Sequence, residues 1–259
     1  MRVKLLWIRI ADKIVSITNW ISERIIRLDE FTIVTATDQS HFCSLVQLIN
    51  SIRIFYPKHK RIVLFDLGLS EDQLLRFERM RYGIEIIRFP FEKYPPHLEM
   101  KRNAGSYGWK PIVIEETMRR FKGMILYLDT ACFVTNGLYE LKINVLKHGV
   151  SMGYSVGSIA DYTSEETLKI LAVPDAIRGK RMIFAGAIAL NCESSISKHI
   201  ISDWSKFCLN ERLICPPYAS RENHRWDQSL LSILIHSDGN LSRTCVGSMK
   251  GIVMQTGVE

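Results

Sequence analysis

Met124-Ile-Leu-Tyr-Leu-Asp129-Thr-Ala-Cys-Phe-Val134 is an almost wholly apolar run that carries one carboxylate, placed where the run changes direction. A short continuous apolar run, rather than an alternating one, is the pattern of a strand buried on both faces of an α/β sheet. Ligands of open α/β sheets gather at the carboxyl ends of such strands. An acid delivered there is either a site residue or a cap for the next turn, and the run alone leaves both readings open.

Working outward, strands and helices alternate. Residues 31–37 are β-branched and apolar and predict a strand. Residues 42–55 predict a helix, with Leu45, Leu48, Ile49 and Ile52 on one face and Pro57 closing the unit. Residues 61–65 predict a second strand, ended by Asp66-Leu-Gly68. Ser70-Glu71-Asp72 then opens a helix with a cap and an acidic first turn. Residues 84–89 predict a third strand, and residues 90–108, with Pro95, Pro96, Gly105 and Gly108, a long loop. Pro111 suits the first turn of a helix that leads into the Asp129 strand. This alternation predicts an α/β fold with a mostly parallel central sheet flanked by helices. The second half is less regular. Residues 181–190 predict another strand around Gly186, residues 196–208 and 227–235 predict helices, and the tail from Ser242 reads as irregular.

Residues 1–30 form a separate unit. Trp7, Ile10, Ile14, Ile17, Ile21, Ile25 and Leu28 recur at steps of three and four, flanked by Arg2, Lys4, Arg9, Lys13, Arg24 and Arg27. That pattern predicts an amphipathic helix, lying on a membrane surface or packing against the domain or a second copy in a homodimer. Residues 31–259 then form one domain. Arg9, Asp12 and Lys13 break the apolar stretch, so it is no signal peptide, and no segment reaches the roughly 20 apolar residues of a transmembrane helix.

The net charge of +7 points to an anionic partner, such as a phosphate-bearing ligand or a membrane surface. No helix-turn-helix, zinc-finger or ribonucleoprotein signature is present, so nucleic acid is not expected. Six cysteines are scattered without C-x-x-C spacing, which excludes a ribbon-type zinc site and indicates a reducing, cytoplasmic setting. Cys43, Cys132 and Cys192 sit in apolar contexts and are expected in the core.

Four features meet on one rim if the sheet is parallel. Thr35-Ala36-Thr37-Asp38 ends the first strand, Asp66 the second and Asp129 the fourth, while Trp109-Lys110 opens the helix before the fourth. Each has a structural alternative: capping for Thr37 and Asp38, turn chemistry for Asp66, a solvated surface for Lys110. The basic, glycine-containing loop 101–108 is either a lid over an anion or an exposed loop. Asp227 in His224-Arg-Trp-Asp227-Gln228 is placed either to cap a helix or to set a carboxylate against a sugar.

In this order these residues resemble nucleotide-sugar glycosyltransferases of the GT-A, Rossmann-like fold, the family 8-like group and a related uncharacterised domain family. The resemblance spans roughly residues 31–238 and rests on FTIVTATD, RIVLFDLGLS, Trp109-Lys110-Pro111, MILYLDTACFV, MIFAGAIAL and DQSLLSIL. It implies transfer of a sugar from a nucleotide-diphosphate donor to a hydroxyl of a glycan or lipid-linked acceptor, as in polysaccharide biosynthesis; separately, the membrane-surface reading of residues 1–30 makes a cytoplasmic protein peripheral on the inner face of a membrane. Thr35 and Ala36 would line the base and ribose pocket, and Asp66 would contact the nucleoside. Lys110 would approach the diphosphate, and Gly186 would let a sugar approach the backbone. Asp227 and Gln228 would face the reacting sugar. Asp129 would be the first acid of the family's D-x-D element, which holds Mn or Mg.

Two departures bear on that metal. Asp129-Thr130-Ala131 lacks the second carboxylate, and the tail Gly247-Ser-Met-Lys250 has no His before it. Either a cation is held weakly, or Lys and Arg neutralise the phosphates. The family's N-x-G element reads Phe184-Ala185-Gly186. The other reading of these losses is a non-catalytic domain that binds nucleotide or glycan.

Overall fold

The computed structural model describes residues 30–80 and 82–254. The helix expected at the N-terminus, with its membrane-surface and packing readings, lies outside the described residues. The first half alternates as the pattern predicts: β1 (Thr32–Thr37), α1 (Phe42–Phe55), β2 (Arg61–Asp66), α2 (Glu71–Met80) and β3 (Ile84–Arg88). After three short 3-10 turns come α3 (Trp109–Arg120), β4 (Met124–Leu128) and β5 (Cys132–Val134). Then follow α4 (Tyr139–His148), β6 (Val150–Ser158), α5 (Glu165–Ile170), α6 (Asp175–Arg178) and β7 (Arg181–Asn191). The chain continues through α7 (Ser195–Leu209), α8 (Glu211–Ile214), α9 (Asp227–Ser237), α10 (Gly239–Thr244) and β8 (Ile252–Met254).

Six strands form the main sheet in the order β3-β2-β1-β4-β7-β6. The first four run parallel, β7 runs against β4, and β6 runs against β7. Strand composition explains the order. β1 and β4 are buried along their whole length, β4 as a continuous apolar run and β1 with three buried threonines among apolar residues, while the edge strand β3 leaves Glu85 and Arg88 exposed. A strand covered on both faces tolerates no polar alternation; an edge strand does.

Side-chain alternation divides the core into two layers. Ile125 and Tyr127 of β4 join Val34 and Ala36 of β1 on the face covered by α3, α7 and α9. Met124, Leu126 and Leu128 join Ile33 and the apolar stripe of α1 on the other. With a period of two, Asp129 continues the Ile125–Tyr127 face. It therefore points toward the helices that carry Lys110 and Asp227.

α9 is tied to β7 by directed bonds. Ser232 Oγ accepts from the Ile183 amide at 2.9 Å and donates to the Gln228 carbonyl at 2.7 Å. His236 Nε2 meets the Arg181 carbonyl at 2.8 Å.

Several expectations change. Cys132 and Cys192 are buried, but Cys43 is exposed, because its place on α1 faces away from the Leu45–Ile52 stripe. The tail is not wholly irregular: α10 forms, and β8 pairs with β5 across 118 residues or more of chain (Val134 to Ile252). Residues 150–158 form a strand that Gly153, Gly157 and three serines hide from an apolar-run reading. No helix among the described residues is long and apolar enough to cross a membrane.

The Ser232 hydroxyl completes the Ile183 amide, which is buried in β7. Ser232→Ala leaves that amide without an acceptor, a loss of about 1–3 kcal/mol. Urea unfolding should show the midpoint fall with the slope unchanged, and an unchanged midpoint would mean α9 is held by packing alone.

Candidate active site

Asp129, Lys110 and Asp227 meet at the floor of a cleft of about 530 Å³. Each arrives for a local reason. Asp129 follows the last residue of β4, and its amide bonds the Gly186 carbonyl of β7 at 2.8 Å, which holds the turn. Lys110 is the second residue of α3, a helix whose N-terminus Trp109 anchors through an Nε1 bond to the Ala104 carbonyl at 3.1 Å. Asp227 opens α9, and Trp204 of α7 donates to its carbonyl at 2.8 Å.

Lys110 Nζ donates to Asp129 Oδ2 at 3.2 Å and lies 3.1 Å from Asp227 Oδ2. The second contact is an ion pair, not a well-directed hydrogen bond, so Asp227 Oδ2 is buried without a directed donor. Tyr127 Oη donates to Asp129 Oδ1 at 2.7 Å. The Tyr107 and Tyr127 rings lie 5.5 and 5.8 Å from the ammonium.

Burial works against the Lys110 charge, but the two carboxylates outweigh it and hold the pKa above the ordinary lysine value. Asp227 goes the other way. Burial, reinforced by the Asp129 charge, raises its pKa to about 6 against the pull of Lys110. The asymmetry follows from number: the lysine has two counter-charges, while Asp227 shares one cation with a rival acid.

One wall of the cleft is the strand-end rim. Asp38 lies there, its Oδ1 2.6 Å from His41 Nδ1 and accepting the His41 amide at 3.2 Å. Burial raises its pKa, but the bonds from His41 and Ser40 prevail and hold it below the ordinary value. An open hollow continues from this wall past Leu67 and Met100 to Lys101.

The opposite wall is built from residues 100–107 and 221–228. Asn103 to Tyr107 all have positive φ, from 48° to 62°. Only glycine fits at 105, where a Cβ would lie 2.2 Å from the Leu98 carbonyl oxygen. Trp226 is also left-handed, at φ 43° and ψ −116°, and its ring lies 6.1 Å from that of Tyr107. Arg221 bonds Tyr107 Oη at 3.1 Å. His224 is fully buried beneath, between the Ser164 amide and the Ile214 carbonyl, each at 3.2 Å. Burial lowers its pKa to about 4, so it stays neutral and serves as a structural strut.

Of the residues singled out from sequence, Ala36, Lys110, Asp129, Asp227 and Gln228 line the cleft. Thr35 is fully buried, on the Ile33 face of β1. Asp66 lies on the Leu64 face of β2, and its Oδ1 accepts the Gly68 and Leu69 amides at 2.8 and 2.6 Å, which is turn chemistry. Gly186 leaves room for neighbouring side chains: a Cβ there would come within 2.5 Å of Phe184 and 2.8 Å of Asp129 Oδ2. Lys250 is exposed and pairs with Glu140 at 2.9 Å. Arg225 and Arg221 also line the cleft, and no sequence pattern marks them: both stand in the non-periodic stretch Ser220-Arg-Glu-Asn-His-Arg-Trp226.

A D-x-D element would hold Mn or Mg, which wants about six oxygens. Both Asp129 oxygens are already engaged, by Tyr127 and by Lys110, and Ala131 offers none. The ammonium beside Asp129 would repel a divalent ion. Among the described residues no three His, Cys, Asp or Glu side chains gather as a metal cluster. These side chains do not fit a divalent cation.

Residues 4–115, under half of the chain, match a family model described as a protein of unknown function, DUF1647. No curated protein matches the chain by sequence. Solved structures match it in fold. An active-site mutant of LgtC is 18% identical over 88% of both chains, with a TM-score of 0.55. LgtC, a galactosyltransferase, is also known in complex with donor and acceptor sugar analogues, at 16% identity over 88% of both chains and TM-score 0.50. Mouse xyloside xylosyltransferase 1 is 11% identical over 84% of both chains, with a TM-score of 0.51. Core-mannan synthase A of Aspergillus fumigatus, in a Mn/GDP form, is 9% identical over 81% of this chain and 70% of its own, also at 0.51. The fold is that of the GT-A glycosyltransferases.

The Asp227 carboxyl, ordinarily near 3.8, titrates at about 6 in the fold, so its contribution to stability is complete below pH 3.8 and is lost as pH rises through 6. Asp227→Asn removes the costly charge and leaves Lys110 its Asp129 partner. At pH 8 the variant should melt higher than the parent by roughly 2–6 °C. At pH 4 the two should coincide. A variant that melts lower at pH 8 would show that the Lys110 ion pair outweighs burial.

Proposed function

We propose that the chain is a glycosyltransferase, moving a sugar from a nucleotide-diphosphate donor to a hydroxyl of a glycan or lipid-linked acceptor. The observation that carries this reading is the buried trio Asp129–Lys110–Asp227 at the floor of the cleft, at the strand ends where such folds bind ligands. The GT-A likeness supports it. Ala36, Asp38 and Leu67 form the wall for the nucleoside, and the long hollow beyond them accommodates an extended ligand.

Asp227 is the reacting carboxylate in this reading. In an inverting course it takes the acceptor hydroxyl's proton as the new C–O bond forms and the bond to the diphosphate breaks. In a retaining course it stabilises cationic charge at the anomeric carbon. Both require the ionised form, so turnover rises with pH through about 6, the value that burial gives this group. Lys110 positions both acids, and Gln228, one residue on at the start of α9, offers its amide to sugar hydroxyls. A second reading, a non-catalytic nucleotide- or glycan-binding module, draws support from Ala131 in place of the second acid.

A panel of nucleotide sugars decides between them. One donor at about 100 times its Kd should stabilise the fold by about 2.7 kcal/mol, visible as a rise in melting temperature. That donor should be turned over by the parent, and Asp227→Asn should bind it while losing roughly 10²-fold or more in rate. Binding without turnover favours the module; near-full activity in Asp227→Asn removes the role given to Asp227.

A further inference from the structure

The residues at the cleft floor leave the donor's diphosphate without an obvious counter-charge. Lys110 already faces two carboxylates, and with Asp227 ionised the trio carries a net negative charge. A divalent ion would ordinarily correct this, but the side chains do not fit one. The remaining positive charge of the cleft lies on the opposite wall, at Arg221 and Arg225.

We propose that Arg225, with Arg221, is the phosphate clamp of this protein, binding the diphosphate in place of a metal ion. The proposal rests on the nucleotide-sugar reading and adds to it the residues and the metal independence. Arg225 is built for the task. Its backbone amide bonds Ser229 Oγ at 2.9 Å and the Tyr162 carbonyl at 3.1 Å. Its guanidinium lies 4.5 Å over the Tyr162 ring, and among the described residues no carboxylate pairs with it. A stacked, half-buried guanidinium without a counter-ion keeps its planar fork of donors free in a fixed direction, which suits two phosphate oxygens. Arg225 stands just before α9, and its carbonyl accepts the Gln228 amide at 2.9 Å, which fixes its backbone to the start of that helix. Arg221, which donates to Tyr107 Oη at 3.1 Å, lines the same cleft. On this arrangement the clamp takes the phosphates while Asp227, two residues further on, faces the sugar. An arginine pair does without the carboxylates a metal needs, and the Ala131 position is consistent with that.

Calorimetric titration of UDP, GDP, ADP and CDP into the full chain, in EDTA and again with manganese, tests the clamp. One nucleoside diphosphate should bind with the same Kd in both buffers. Arg225→Met, which keeps the stacked stem, should weaken that binding by roughly 10- to 100-fold in both. Arg225→Lys should fall between, because it keeps charge and loses the fork. Melting temperatures of both variants near that of the parent establish that they fold. Binding that appears only with manganese overturns the clamp and leaves the glycosyltransferase reading standing. So does unchanged affinity in Arg225→Met, and if that variant instead raises the KM for the acceptor, the anion Arg225 holds is the acceptor's. If no nucleoside diphosphate binds in either buffer, the nucleotide-sugar reading falls, and the clamp with it.

Discussion

Lys110 joins the two halves of the site. A single ammonium, 3.2 Å from Asp129 and 3.1 Å from Asp227, connects the end of β4, the start of α3 and the start of α9. Taking three charged groups out of water costs several kcal/mol per ion unless they are mutually close and well bonded. The arrangement is only partly compensated. Asp129 has two donors, but Asp227 has an ion pair without a directed bond to Oδ2, and its carboxyl is correspondingly pushed toward neutrality. A core built for stability alone would hold an apolar trio at these positions. The residual cost marks the floor of the cleft as a place where the fold gives up stability to keep a carboxylate in low dielectric, as the role proposed for Asp227 requires.

The same trade is visible in the backbone. The wall above Lys110 contains four non-glycine residues with positive φ between Asn103 and Tyr107, and Trp226 precedes Asp227 in a sparsely populated conformation. Such residues cost of order 1–3 kcal/mol each and persist only where surrounding contacts over-determine them. Those contacts are present: Trp109 on the Ala104 carbonyl, Arg221 on Tyr107, Trp204 on the Asp227 carbonyl, and buried His224 under the 215–226 segment. The two strained segments meet through the Tyr107 and Trp226 rings, whose centroids are 6.1 Å apart.

How much of this was legible in the sequence depended on whether a residue's position was set by periodicity or by long-range contact. Asp129 and Lys110 were legible because each sits at the end of a patterned element, and the apolar runs on either side fix that end. Thr35 and Asp66 were placed correctly at strand ends but on the α1 face of the sheet: their parity matches Ile33 and Leu64, not Val34 and Val63. The pattern that located the rim also contained that parity, and reading it would have separated Ala36 from Thr35. Gly186 was singled out for its missing side chain, but the space serves Asp129 and Phe184. Arg225 was illegible, since its direction is set by Tyr162, 63 residues earlier in the sequence, through a loop with no repeat. The β5–β8 pairing and the interrupted strand β6 were hidden for the same reason.

The two walls of the cleft therefore differ in kind, and that difference bears on what each can contribute. The strand-end wall is fixed by the sheet: Ala36 cannot shift without moving β1, which is paired with both β2 and β4, and Asp38 follows the strand end in a turn closed by its bonds to Ser40 and His41. It suits a constant component of the substrate, such as a nucleoside. The other wall is fixed by side chains of residues 100–107 and 221–228, where a change at one contact re-aims several groups at once. Charge follows the same division. Asp38 and Asp129 lie at strand ends, Asp227 at the floor where α9 begins, and the Arg225 guanidinium on the loop wall, so a ligand that bridges the cleft meets acids at the floor and a cation on the loop side. A sugar joined to a diphosphate has that order of groups and a neutral glycan alone does not, which is the physical argument behind proposing an activated sugar as the ligand.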